Sequence, residues 1–185
     1  MKKQSFTLTI FILAMVVSGL AQDSEAPLDY KLLATTKTST MQKELNETSV
    51  LGYRVLAGAP TSGSEMVLFL SLDGTASEPY KYKLLATSRT GTMQKELNES
   101  AVLGYRLIPS TIIAKKSLFG GEEIVVIMEL VPNATKQYEY RLLATNRTRT
   151  LQKEARQAKD DGFVIVGMVS RGEHMVIMER ESDLP

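Results

Sequence analysis

Hydrophobic and polar positions recur in the same order three times along this chain. Each recurrence opens with an alternating run in which every second residue is apolar or aromatic, and this period of two is typical of a half-buried strand. The three runs are Leu28-x-Tyr30-x-Leu32, Tyr80-x-Tyr82-x-Leu84 and Tyr138-x-Tyr140-x-Leu142. The pattern therefore predicts a short strand at the start of each recurrence.

A helix is predicted after each of these strands. Apolar or small residues follow with a spacing of four and then three, which places them on one helix face. They are Met41, Leu45 and Thr48, then Met93, Leu97 and Ser100, then Leu151, Ala155 and Ala158. A glycine stands where the C-cap of each helix is expected, at Gly52, Gly104 and Gly162.

Two further strands are predicted after each glycine. The second strands cover residues 53–57, 105–108 and 163–168, and the third strands cover residues 66–72, 124–130 and 175–179. The third strands are nearly continuous apolar runs. Such runs indicate a strand in the middle of a small sheet, with the helix covering one face and a neighbouring unit the other.

The recurrences are copies of one unit. Residues 30–53 and 82–105 align without gaps and differ at only five of 24 positions, and residues 140–163 keep the Tyr-x-Leu-Leu-Ala-Thr opening. A unit of about 50 residues buries too little surface to be comfortably stable alone. We therefore expect an α+β fold of three tandem βαββ modules packed together, residues 28–72, 80–130 and 138–180, each a small, mainly antiparallel sheet covered by one helix.

The first residues resemble a secretory signal. Lys2 and Lys3 precede an apolar run from Phe6 to Val17, and small residues then lead to a predicted cleavage after Ala21. The run is shorter than the roughly 20 residues that span a bilayer, so a cleaved signal, residues 1–21, is favoured over a retained anchor. Because the chain also lacks cysteine, a bacterial periplasmic or secreted protein is expected.

The repeated unit resembles a group of short bacterial βαββ domains of unknown function. Tyr80-Lys81-Tyr82-Lys83 and Tyr138-Glu139-Tyr140-Arg141 match the opening strand of that group, and Gly104-Tyr105-Arg106 stands where its members have Gly-Trp-Glu. The resemblance implies the βαββ fold and no known activity.

Several classes of function lack their residues here. His174 is the only histidine, and the chain has no cysteine, nucleophile motif or phosphate-binding glycine loop, so neither a catalytic residue, a metal site nor a cofactor is predicted. Without residues 1–21 the chain carries 20 basic and 21 acidic residues, since that segment contains two lysines and no acid. Nucleic-acid binding is not expected of so nearly neutral a chain.

The link between the first strand and the helix carries the one candidate binding pattern. A Thr-x-Lys/Arg-Thr-x-Thr sequence begins at Thr35, Thr87 and Thr145, and the candidate anion-binding residues are Lys37, Thr38, Thr40, Arg89, Thr90, Thr92, Arg147, Thr148 and Thr150. A helix N-terminus favours an anion through its free N–H groups and its dipole. The alternative needs no ligand: Thr40, Thr92 and Thr150 are then simply the helix N-caps.

The second copy alone contains a long excursion between its last two strands, residues 109–121. Its apolar residues Ile112, Ile113, Leu118 and Phe119 either pack against a neighbouring module or form a contact for a protein partner. From these features the expected function is that of an exported, non-catalytic binding or structural protein. The second hypothesis is an anion or acidic-glycan binder that uses the threonine-rich links, and an enzyme is the third.

Overall fold

The computed structural model of this protein describes residues 29–75, 77–118, 120–130 and 135–183. The predicted signal, residues 1–21, and Phe119 of the predicted contact surface lie outside these described residues. Across the described ranges the chain forms three α-helices and three antiparallel sheets, which is an α+β fold.

The strands and helices follow the order that the sequence predicts, with additions in the second copy. The elements are β1 (Tyr30–Thr35), α1 (Thr38–Val50), β2 (Tyr53–Pro60), β3 (Met66–Leu72), β4 (Lys81–Thr87), α2 (Thr90–Val102), β5 (Arg106–Leu107), a 3-10 helix (Pro109–Thr111), β6 (Ile113–Lys116), β7 (Glu122–Leu130), β8 (Lys136–Thr145), α3 (Thr148–Asp160), β9 (Val164–Ser170) and β10 (His174–Asp183).

The sheets share one strand order. Sheet 1 is β1-β3-β2, sheet 2 is β4-β7-β5 with β6 also paired to β7, and sheet 3 is β8-β10-β9. The central strands β3, β7 and β10 are the apolar runs, as predicted. Positions that align in the sequence also share a register, because Tyr30 pairs with Ser71, Tyr82 with Glu129 and Tyr140 with Glu179.

Glycine ends each helix at the predicted position. Gly52, Gly104 and Gly162 have φ of 87°, 87° and 89°, a left-handed conformation that a side chain disfavours. The N–H of Gly52 donates to the carbonyl of Ser49 at 3.0 Å and so satisfies one of the last carbonyls of α1. The C-cap prediction is confirmed.

The helices begin three residues earlier than N-caps at Thr40, Thr92 and Thr150 would require. The N-cap residues are Lys37, Arg89 and Arg147, so the prediction of N-caps at Thr40, Thr92 and Thr150 is wrong. The first threonine of each link explains the shift, since Thr35 Oγ1 accepts the backbone N–H of Lys37 at 3.2 Å. Thr87 and Thr145 do the same for Arg89 and Arg147 at 3.1 Å. This local turn leads the chain directly into the helix.

The sheets stack in chain order, and each sheet has a helix side and an outer side. Met41 of α1 and Leu68 on the helix side of sheet 1 share a core with Tyr82 and Ile127 on the outer side of sheet 2. Sheet 2 and α2 make the corresponding core with the outer side of sheet 3, through Met93, Leu97, Met128, Tyr140 and Ile177. We call these contacts the 1–2 interface and the 2–3 interface.

The excursion of the second copy packs inside this stack. Ile113 on β6 is buried in the core of the 1–2 interface, and Ile112 packs against the core of the 2–3 interface. The two isoleucines thus serve internal packing, the first of the two alternatives, and Ile113 is closed to a partner. Leu118 is exposed. Within the excursion Pro109–Thr111 form a 3-10 helix and Ile113–Lys116 form β6, because β5 stops before Pro109 and β6 resumes the pairing with β7.

No helix among the described residues is both long enough and apolar enough to cross a membrane.

Candidate functional site

The threonine-rich links have different neighbours in the three copies. Lys37, Arg89 and Arg147 are all exposed, each at the start of its own helix. Lys37 and Thr38 border a hollow that also contains Leu118 and Glu123. Thr148 borders a larger cleft on sheet 3. The nine candidate residues therefore form three separate helix starts, one for each copy.

The helix start of the second copy already carries a carboxylate. Thr90 Oγ1 donates to Glu173 Oε1 at 3.3 Å, and Arg171 in the turn before β10 donates to the carbonyl of Ser88 at 2.6 Å. An acidic side chain stabilises the positive end of a helix. The protein thus supplies its own anion at this link.

The helix start of the first copy has a buried cation beside it. Lys115 on β6 donates to the carbonyl of Thr36 at 3.4 Å and forms an ion pair with Glu123. This lysine is 3% exposed, and its charge is paired with the carboxylate of Glu123. Anion binding at the three links stays a prediction, and their surroundings are unequal.

An ionic cluster built around a buried carboxylate crosses the 1–2 interface. Arg54 on β2 makes a two-pronged contact with Glu129 on β7, with Nη2 2.7 Å from Oε1 and Nε 3.0 Å from Oε2. Tyr82 donates its phenol proton to the same carboxylate at 3.0 Å and accepts the N–H of Val55 at 3.1 Å. The guanidinium lies over the Tyr80 ring, 4.6 Å from its centroid.

The 2–3 interface repeats this cluster at the aligned positions. Arg106 Nη2 is 2.8 Å from Glu179 Oε1, and Tyr140 donates to Glu179 at 2.9 Å while it accepts the N–H of Leu107 at 2.7 Å. Arg106 lies over the Tyr138 ring at 4.6 Å. The two clusters therefore fix the orientation of each sheet on the one before it.

The clusters shift the pKa values of the arginines and tyrosines that form them. The hydrogen bond to Glu129 raises the pKa of Arg54, and the bond to Glu179 raises the pKa of Arg106. Burial raises the pKa of the Tyr82 and Tyr140 phenols. Both tyrosines thus stay neutral donors over the physiological range, and the two arginines stay charged.

A glutamine on each of the first two helices binds the edge strand of the next sheet. Gln42 donates to the carbonyl of Tyr82 at 2.9 Å and accepts the N–H of Leu84 at 2.7 Å. Gln94 does the same with Tyr140 and Leu142, at 2.6 and 2.7 Å. The side-chain amide satisfies one donor and one acceptor of an edge that would otherwise remain open to another strand.

Within the described part of the chain no sheet follows sheet 3 on its helix side, and an apolar cleft of about 650 Å³ opens there. We call it the end cleft; its walls include Leu151, Gln152, Phe163, Val164, Ile165 and Met168. Ile165 is 59% exposed, whereas the aligned Val55 and Leu107 are 5% and 2% exposed. The end cleft is thus the surface that the next sheet covers at the two interfaces.

No sheet precedes sheet 1 among the described residues, which start at residue 29, and the outer side of sheet 1 is exposed. This outer face contains Tyr30, Leu32 and Phe69. Tyr30 is 57% exposed, whereas the aligned Tyr82 and Tyr140 are 4% and 1% exposed. The described part of the chain therefore ends in two apolar surfaces, each equivalent to one half of an internal interface.

These interface residues were not among the predicted site residues. The clearest available signal was a glutamate inside an apolar strand, at Glu129 and Glu179, since an acid is rarely buried without a partner. Gln152 of α3 aligns with Gln42 and Gln94. Its aligned glutamines act across an interface, which the pattern of one helix does not indicate.

Comparison with protein-family models, with curated proteins and with solved structures finds no match for this chain.

Proposed function

We propose that this protein is an exported, non-catalytic repeat protein that acts as a binding or structural module of the bacterial envelope or exterior. Its three βαββ modules form one stack, and the ends of the stack are its contact surfaces. The observation that carries the proposal is the end cleft, in which three neighbouring apolar side chains are more than half exposed, at Val164, Ile165 and Met168. Contiguous apolar surface of this kind is typical of a protein contact.

Export of the chain rests on its first residues. A positively charged start, a short apolar run and small residues before Gln22 favour cleavage of a signal. The bacterial origin and the likeness to small βαββ domains of unknown function remain parts of the proposal that rest on sequence alone.

Cell fractionation and cross-linking test the proposal together. We expect the protein in the exported fraction of its host, with residues 1–21 absent from its mass spectrum. We also expect that Ile165→Glu, which places a charge in the end cleft, reduces cross-linking to envelope proteins. Val102→Glu serves as the matched control, because Val102 is an exposed valine of α2 outside the end cleft. A cytoplasmic protein that keeps residues 1–21 would contradict the proposal, as would equal cross-linking by both variants.

A further inference from the structure

The end cleft and the outer face of sheet 1 are the two halves of an interface that the chain already makes twice. At each internal interface the helix side of one sheet receives the outer side of the next. We infer that a second copy of this chain places its outer face in the end cleft of the first, so that copies associate head to tail. The inference rests on the proposed function, since it names the partner of the same cleft.

Gln152 is positioned to repeat the contact with an edge strand. It lies on α3 at the position of Gln42 and Gln94, which bind the edge strands β4 and β8. Strand β1 is the corresponding edge of sheet 1. Gln152 of one molecule would bind the carbonyl of Tyr30 and the N–H of Leu32 in the next molecule. The same hydrogen bonds would therefore form for a third time.

The positions of the interface Arg–Glu pair are uncharged at both ends of the stack. Val164 occupies the position of Arg54 and Arg106 in the end cleft, and Ser71 occupies the position of Glu129 and Glu179 on sheet 1. Both members of the Arg–Glu pair are thus replaced. Burying one charge without its partner is strongly unfavourable, whereas replacing both members is tolerated. At this pair of positions neither end presents a charge, whereas the charged Arg156 and Lys159 line the end cleft where Asn98 and Ala101 stand at the 2–3 interface.

At another position of the contact, a small residue and a large residue exchange sides. At the 1–2 interface Gly58 on β2 makes room for Leu68 of its own sheet and for Ile113, because a Cβ on Gly58 would lie 2.8 Å from Leu68 Cδ2 and 3.0 Å from Ile113 Cδ1. In the end cleft the position of Gly58 is taken by Met168. On sheet 1 the strand position of Ile113 is taken by the smaller Ala59. The contact between two molecules would therefore again place a large residue, Met168, against a small one, Ala59. The large residue would now lie in the cleft instead of on the outer face.

The contact joins two different surfaces, so one end cleft and one outer face remain free after each molecule is added. Such an interface produces a growing chain of copies unless its rotation closes a ring. Repeat proteins that stay single normally carry polar residues on their terminal faces. Here both ends expose apolar residues, which is expected when copies cover one another.

Sedimentation of the purified protein, in the form that its host produces, tests the inference without any other partner. We expect the average mass to rise with concentration beyond that of a dimer. Leu32→Glu on the outer face and Ile165→Glu in the end cleft should each give a monomer with unchanged circular dichroism. Val102→Glu should associate like the unmodified protein. A monomer at all concentrations, or loss of association in Val102→Glu alone, would overturn the inference.

Mixing the two monomeric variants tests the head-to-tail geometry. The Leu32→Glu copy keeps its end cleft and the Ile165→Glu copy keeps its outer face, so an equal mixture should form a dimer and nothing larger. Failure of the mixture to dimerise would contradict the proposed pairing of faces. A monomeric protein that still cross-links to another envelope protein through the end cleft would overturn self-association and leave the proposed function standing. A self-associating protein found only in the cytoplasm would overturn the proposed function and leave self-association standing.

Discussion

Tyr30 and Tyr140 occupy the same position of the repeat, yet one is exposed and the other is buried. Each lies on the first strand of its sheet and faces the outer side. Tyr140 donates to Glu179 of its own sheet and accepts the N–H of Leu107 across the 2–3 interface. Tyr30 has only the Phe69 ring close by, 5.6 Å between centroids, among the ring contacts of the described residues. The sequence of a repeat thus specifies its local structure, and its neighbour decides which surfaces are buried.

Truncation of the aligned tyrosines should give the largest difference between an interface and a free end. Tyr82→Ala removes a buried ring, its bond to Glu129 and its bond to Val55. The expected loss in the free energy of unfolding is about 4 kcal/mol. Tyr30→Ala removes an exposed ring and should cost less than about 1 kcal/mol.

Chemical denaturation of both variants in dilute solution measures this difference. Dilution matters because self-association would stabilise the folded state and would bury Tyr30. Equal losses for Tyr82→Ala and Tyr30→Ala would show that the 1–2 interface does not form as described.

Removal of the bridging glutamine should give a smaller difference in the same direction. Gln42→Ala leaves the carbonyl of Tyr82 and the N–H of Leu84 without their side-chain partner. The expected cost is about 1–2 kcal/mol, since both groups are partly buried. Gln152→Ala on α3 is the matched control and should leave the Tm of the dilute protein unchanged. Thermal melting of the two variants decides, and equal shifts in Tm would argue against the bridging role.

A change at Asp73 should have the smallest effect, and only in acid. Hydrogen bonds from Thr75 and from the Tyr80 phenol lower the pKa of Asp73 from 3.8 to about 2. A lowered pKa stabilises the fold above the unfolded value and loses that contribution as the pH falls from about 4 to about 2. Asp73→Asn should therefore flatten the fall in stability in this window. Solvent reaches the carboxylate, so the change is small, and identical acid titrations of stability for both proteins would contradict it.

The sequence predicted the strands and helices well because their patterns are local. Alternation, helical spacing and a glycine after each helix are set by residues within one copy, and the three apolar runs did form central strands. The starts of the helices were predicted wrongly because Thr35, rather than Thr40, organises the turn. Both threonines are compatible with a cap, and only the geometry of the link separates them.

The interfaces could be predicted only in part because they join residues far apart in the chain. Arg54 and Glu129 lie on different copies, and no spacing within one copy relates them. Ile113 was recognised as a residue in need of burial, but its place between two sheets depends on the stack. Local pattern thus determined the elements, and the packing of one sheet on another determined the candidate sites.

Hydroxyl-radical footprinting with mass spectrometry tests most directly the claim that neighbouring sheets bury equivalent faces. In dilute protein we expect Tyr30 and Ile165 to be oxidised readily, while the aligned Tyr82, Tyr140 and Val55 are protected. Oxidation of Tyr82 and Tyr140 at the rate of Tyr30 in the folded protein would contradict the stacked arrangement.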